Sequence, residues 1–179
     1  MLIAAAVAAL LFAGCSGGGK PRSGATSPGL APTREAAALA TPAGTCPRSP
    51  ARTIDPQYGL AAGSGPVYVV AKYDANGDVQ FGPHAPGSPG AGFAAAKLMW
   101  VVAPAYAGGA VVRGARVDGV GAVKFGQGPN ADSLTIAAAA AGGWRAIPSN
   151  EWVTAGGCYA FVVQGEGFSE TIYIMASVY

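Results

Sequence analysis

PVYVVAKYDANGDVQFG, residues 66–82, gives the clearest indication of secondary structure in this chain. A β-branched and aromatic run, residues 66–73, is followed by DANGD and then by a second apolar run, residues 79–82. β-Branched and aromatic residues favour strands, and an Asn-Gly pair between two such runs is a strong hairpin signal because tight hairpin turns need positive φ angles. The segment therefore predicts two strands that form a hairpin around Asn76 and Gly77.

Short apolar segments continue this pattern to the end of the chain. Turn residues separate them, including a Gly/Pro loop at residues 82–92. No segment of the predicted domain has a clear 3.6-residue period, which would indicate a core helix. Many short strands at this spacing predict an all-β fold, namely an antiparallel immunoglobulin-like β-sandwich that is not a true antibody domain. The further strands are predicted at residues 96–103, 110–117, 122–125, 134–138, 158–164 and 171–178.

The chain carries little charge, and the predicted domain carries none overall. Charged residues make up 11% of the 179 residues, and the formal net charge is +2. From Cys46 onward eight basic and eight acidic residues cancel, so the excess lies before the domain. A neutral domain has no electrostatic footprint for nucleic acid, and we expect no nucleic-acid partner.

The first fourteen residues, MLIAAAVAALLFAG, carry no charge and stand directly before Cys15. The run is shorter than the ~20 residues that span a bilayer, but it is long enough for the apolar part of an export signal. A cysteine directly after Ala13 and Gly14 resembles the lipobox of bacterial lipoproteins. The resemblance implies that residues 1–14 are a signal peptide and that Cys15 is acylated and anchors the chain to a membrane. An ordinary secretory signal is the alternative.

Composition divides the rest of the chain into a linker and a domain. Residues 15–45 are mostly Gly, Ser, Thr, Pro and Ala, which cannot bury enough apolar surface to offset chain entropy. This segment predicts a disordered tether, and residues 46–179 predict one β-sandwich domain. If Cys15 is acylated, Cys46 and Cys158 remain, and in an exported protein they predict one disulfide. Two separate buried thiols are the alternative.

Few side chains point to chemistry, and no residue pattern implies a cofactor. Asp74, Asn76 and Asp78 stand at positions 1, 3 and 5 of a calcium-loop pattern, but the glycine and the glutamate that the loop needs at positions 6 and 12 are missing. A hairpin turn explains these residues better, and they are only weak metal candidates. His84, the single histidine, lies in the Gly/Pro loop, and no nucleophile or carboxylate stands near it in the sequence. We therefore predict no catalytic residue.

Two tryptophans are the candidates for a ligand platform. Trp100 lies in the apolar run KLMWVV and is expected in the core. Trp144 and Trp152 lie in a less regular segment around Pro148, where two exposed rings could stack on a sugar. Packing at the edge of the core is the other interpretation of this pair.

The second half of the chain shows a resemblance. GWRAIPSNEWVTAGGCYAFVVQGEGFSETIYI (residues 143–174) resembles the C-terminal part of a group of uncharacterised small bacterial lipoproteins, which have a Trp, a spaced Pro, then Gly-Cys-Tyr or Gly-Cys-Trp and a final hairpin. KLMWVVAPAYAGGAVVRGARVDG (residues 97–119) is also similar. The resemblance implies an exported β-sandwich with a disulfide that involves Cys158. It implies no activity.

The sequence therefore predicts a lipid-anchored cell-envelope protein whose domain lies outside the cytoplasm on a cell membrane or outer membrane. We expect a non-enzymatic binding or structural module whose partner is an envelope protein or a polysaccharide. A carbohydrate-binding module is the first alternative, and an extracellular hydrolase is the second. The hydrolase would need Glu151, Glu166 or Asp118 to converge near His84.

Overall fold

The computed structural model describes residues 45–179, where eleven β-strands and no helix are found. The predicted signal peptide, Cys15 and the predicted tether up to residue 44 lie outside the described residues. Among residues 45–179, no helix has the length and apolarity needed to cross a membrane. The strands are β1 (Ala51–Asp55), β2 (Gly59–Ala62), β3 (Val67–Val70), β4 (Val79–Pro83), β5 (Ala94–Val102), β6 (Ala110–Arg116), β7 (Val123–Phe125), β8 (Ser133–Ile136), β9 (Arg145–Val153), β10 (Gly157–Gly165) and β11 (Phe168–Val178).

The strands form two layers that share one strand. The first sheet has the order β1-β2-β3-β5-β9-β7, and the second has the order β8-β6-β10-β11-β4. β4 belongs to both, because it also pairs with the start of β5. The all-β sandwich is thus confirmed. Purely antiparallel pairing is wrong at one place, because β4 runs parallel to β11. The immunoglobulin-like topology in particular stays a prediction.

Alternating side chains build the core between the layers. On β5, Ala96, Leu98 and Trp100 point inward, while Lys97 is exposed. On β10 of the opposite sheet, Phe161 points inward, and its ring centre lies 5.8 Å from that of Trp100. The core position expected for Trp100 is confirmed, since the residue is fully buried.

The predicted hairpin at Asn76 and Gly77 forms only as a turn. The tightest hairpin turn needs positive φ at both of its central residues. Gly77 meets this requirement with a φ of 76°. Asn76 does not, because within residues 45–179 only glycines have positive φ. A single bridge between Tyr73 and Val79 joins the two arms. β3 and β4 instead lie one after the other along the same edge of β5, which is long enough for both.

β9 was not expected as a strand, because Pro148 interrupts its sequence. The structure explains how the proline is tolerated. The Asn150 carbonyl accepts a hydrogen bond from the Gly126 amide, which directly follows β7, so the backbone polar groups of Asn150 point toward the β7 side of β9. The backbone of Pro148, two residues earlier, points to the same side. β7 pairs with residues 151–153, so in the described domain no strand on that side requires the missing N–H of Pro148.

The predicted disulfide between Cys46 and Cys158 is confirmed. The two Cα atoms are 5.4 Å apart, and 112 positions separate the residues in the sequence. Cys158 lies on β10, which pairs on both sides with β11 and β6. The bond therefore fixes the segment that enters the domain to a central strand of the second sheet.

Candidate functional site

Three aromatic side chains gather on the outer face of the first sheet. Tyr58 ends the turn between β1 and β2, Tyr68 lies on β3, and Trp144 directly precedes β9. The ring centres of Tyr58 and Tyr68 lie 5.8 Å and 6.2 Å from that of Trp144, with interplanar angles of 65° and 55°. All three side chains are partly exposed. We call these residues the three-ring patch.

Strand pairing explains why the three rings meet. Tyr68 pairs with Val101 of β5, and Val101 pairs with Ala146 of β9, so all three residues share one face of the sheet. Trp144 stands two residues before Ala146 and points to the same side. The β1–β2 hairpin extends this sheet and brings the Tyr58 ring to 5.8 Å from the indole.

The predicted pairing of Trp144 with Trp152 is wrong. Trp152 is only 4% exposed, its indole N–H donates to the Gly126 carbonyl at 2.9 Å, and its ring lies 4.4 Å from that of His84. The loop that carries Gly90 covers it, since a Cβ on Gly90 would collide with the indole. Trp152 is an internal packing residue, and only Trp144 contributes to an exposed surface.

A groove lined by both charged and uncharged residues adjoins the three-ring patch. Arg52 belongs to both, because its guanidinium carbon lies 5.9 Å from the Tyr68 ring centre and its side chain lines the groove. The groove has a volume of about 500 Å³. Glu170 also lines the groove and accepts hydrogen bonds from the backbone amides of Ser64 and Gly65. Four hydroxyl-bearing residues also line it, namely Ser49, Ser64, Ser169 and Thr171, and Pro50 and Gly63 complete the lining.

Glu151 is a buried carboxyl group on the opposite face of the first sheet. It is 0% exposed, and one oxygen accepts a hydrogen bond from the Trp100 indole at 2.9 Å, while the other has no hydrogen-bond partner among the described residues. Burial raises its pKa to about 7, and polar contacts with Trp100, Ser149 and the Leu98 backbone only partly oppose this. No sequence feature indicated this burial, because β9 itself was not expected.

The weak metal candidates form a turn that Arg48 crosslinks. Asp74 accepts hydrogen bonds from the backbone amides of Asn76 and Asp78 at 2.8 Å and 2.9 Å. The Arg48 guanidinium contacts the Asp78 carboxylate at 2.6 Å and donates to the Asn76 carbonyl. A protein cation thus already occupies this position. Among residues 45–179, no cluster of three His, Cys, Asp or Glu side chains could hold a metal.

The convergence that a hydrolase would need is not formed. Glu151 lies in the core, and His84 packs against Trp152 on the outer side of the same sheet. Asp118 accepts a hydrogen bond from the Cys158 amide at the start of β10, whereas Glu166 follows the other end of that strand. β10 spans nine residues, so the two carboxylates lie on the order of 25 Å apart.

The fold and the site define a disulfide-bonded β-sandwich with an aromatic patch beside a groove. Comparison with protein-family models and with curated proteins finds no match for this chain. The resemblance to small bacterial lipoproteins therefore stays a prediction, and the proposed function rests on the site itself.

Proposed function

We propose that this protein is an exported, lipid-anchored binding module of the cell envelope, without enzymatic activity. The observation that supports the binding role is the three-ring patch. Aromatic rings are mostly buried in stable domains, and a partly exposed cluster on a sheet face offers apolar surface together with polar edges to a partner. Tyr58, Tyr68 and Trp144 are held in such a cluster by three different segments of the chain.

The disulfide supports export. Disulfides form and persist in oxidising compartments outside the cytoplasm. An uncharged leader followed by Cys15 would supply both the export signal and the lipid, and residues 16–45 would hold the domain away from the membrane. The membrane is then the first partner of the protein, and an envelope polymer or protein is the second.

A carbohydrate-binding module is the most specific form of this proposal. Trp144 keeps the role that the sequence suggested for it, although its neighbours are Tyr58 and Tyr68 rather than Trp152. An extracellular hydrolase has less support, because its candidate acids and His84 lie in separate parts of the domain.

Anchoring is tested by changing Cys15 in the full-length protein. Wild-type protein produced with its own leader should enter the membrane fraction and require detergent for release, and its mature N-terminus should have the mass of an acylated cysteine. Cys15→Ser should abolish the modification and remove the protein from this fraction. A Cys15→Ser protein that stays in the membrane fraction would refute lipid anchoring.

The binding role is tested with the full-length protein and isolated cell envelopes. Trp144→Ala should weaken binding by roughly tenfold or more, because large aromatic side chains dominate the energy of binding sites. Tyr179→Ala is the matched control, since Tyr179 is an exposed aromatic residue outside the three-ring patch. Equal binding of the wild type and Trp144→Ala would overturn the proposal.

A further inference from the structure

We infer that the three-ring patch and the adjoining groove together bind one uncharged polysaccharide chain. In this arrangement sugar rings stack on Tyr58, Tyr68 and Trp144, and the chain continues past Arg52 into the groove beside Glu170. The inference rests on the proposed function, because it assumes that the three-ring patch is the binding site.

The angles between the rings indicate a single chain rather than a flat surface. A crystalline polymer presents a plane, and rings that stack on a plane must be coplanar. The Tyr58 and Tyr68 rings are instead inclined by 65° and 55° to the Trp144 ring. Rings inclined in this way share no common stacking plane, so each exposed ring face meets a different sugar of the ligand, which suits a separate chain whose sugar rings expose apolar C–H faces.

The groove gives that chain a continuous path. The Tyr68 hydroxyl lies directly against Gly65, so closely that a Cβ there would collide with the oxygen. Gly65 and Ser64 donate their amides to Glu170, and Ser64 also lines the groove. Its volume of about 500 Å³ lies within the range of about 300–1,000 Å³ that is usual for ligand sites.

The charges that line the groove indicate an uncharged ligand. Arg52 and Glu170 are of opposite sign, and the other lining residues are uncharged. The groove therefore has no net charge to attract a polyanion or a polycation. The guanidinium keeps several donors and the carboxylate keeps acceptor sites, so the pair can bind hydroxyl groups, which both donate and accept.

The test uses full-length protein in detergent micelles. The probes are disaccharides and hexasaccharides derived from cellulose, starch, mannan and arabinan, with the neutral polysaccharide fraction of the producing cells' own envelope. Microcrystalline cellulose represents a flat surface, polygalacturonate represents a polyanion, and an unstructured peptide library represents protein ligands. Binding is measured by calorimetry and by Trp fluorescence. We expect at least one neutral series to bind, with the hexasaccharide tighter than the disaccharide.

Two substitutions separate the patch from the groove. Ser169→Trp places a bulky ring in the groove, because Ser169 is an exposed lining residue at the start of β11. It should lower the hexasaccharide affinity about tenfold and leave the disaccharide affinity unchanged, since a short ligand uses only the patch. Ser169→Ala is the matched control and should bind like the wild type. Trp144→Ala should weaken both ligands, and an unchanged unfolding midpoint shows that each variant is folded.

The outcomes distinguish the inference from the proposed function. Unchanged hexasaccharide affinity in a folded Ser169→Trp variant overturns the path through the groove. Binding only to microcrystalline cellulose, to polygalacturonate or to peptides overturns the assignment of the ligand as a single uncharged polysaccharide chain. The absence of binding to every neutral probe overturns it as well. In each of these cases the proposed binding role stands if Trp144→Ala still loses envelope binding, and the binding role fails if that loss is absent.

Discussion

Glu151 is a carboxyl group inside an apolar core, and its titration makes the stability of the domain depend on pH. Its pKa is raised from 4.5 to about 7, chiefly because burial disfavours the charged form. Below the pKa of the unfolded chain, the carboxyl group is neutral in both the folded and the unfolded state. Between the two values the unfolded chain releases the proton while the folded one retains it, so the free energy of unfolding falls as the pH rises. Above the pKa of the folded state, the group is charged in both states, and the free energy of unfolding falls no further.

Glu151→Gln is expected to remove this dependence. The amide keeps the oxygen that accepts the Trp100 hydrogen bond, but it cannot become charged. At about pH 8 the variant should be more stable than the wild type by up to about 3 kcal/mol, and at about pH 4.5 the two should be similar. Urea unfolding at both pH values measures the effect. An identical pH dependence in the two proteins would contradict the argument.

At the scale of strands, most of the fold was predictable, because alternation and β-branched runs are local signals. β5, β6 and β10 lie within two residues of their predicted limits. β9 could not be predicted, because whether Pro148 is tolerated depends on where β7 ends. The burial of Trp152 depends equally on a distant loop. β4 was predicted as a strand. That it pairs with β5 in the first sheet and with β11 in the second depends on its partners rather than on its own sequence.

Gly114 tests how closely the two sheets approach each other. It lies on the core side of β6, where an added Cβ would stand 2.6 Å from a methyl group of Val123 on β7. Gly114→Ala should therefore lower the free energy of unfolding by about 1–3 kcal/mol, because the packed core cannot take another carbon. Gly143→Ala is the control, since nothing lies near its Cβ position, and it should change stability by less than about 0.5 kcal/mol. Equal effects of both substitutions in thermal unfolding would contradict this packing argument.

The Cys46–Cys158 bond connects the domain entrance to β10, and the two cysteines are 112 positions apart in the sequence. Replacing both cysteines with serine should lower the free energy of unfolding by about 4–5 kcal/mol, because the unfolded chain regains the entropy of a long loop. Urea unfolding measures the loss. A reductant should destabilise the wild type similarly and leave the double variant unchanged. A wild-type midpoint that does not respond to reductant would refute this role of the bond.

The candidate site could be predicted from the sequence only in part. The sequence pointed to Trp144, because a tryptophan in an irregular segment is a candidate for exposure. It gave no reason to add Tyr58 and Tyr68, which join Trp144 only through the order β2-β3-β5-β9. Long-range strand order is set by the packing of all strands together, and no local pattern encodes it. A surface built by three separate segments is thus visible only in the folded domain.

Charge balance makes a prediction about the whole domain. From Cys46 onward the chain has eight basic and eight acidic residues, and the groove is lined by one of each, Arg52 and Glu170. A neutral polysaccharide on a neutral domain gains nothing from long-range attraction, so salt has nothing to screen. The dissociation constant of the tightest neutral hexasaccharide should change less than about twofold between low salt and about 1 M salt. Calorimetric titration at both ionic strengths measures this. A tenfold weakening would mean that ion pairing, and not ring stacking with hydroxyl contacts, holds the ligand.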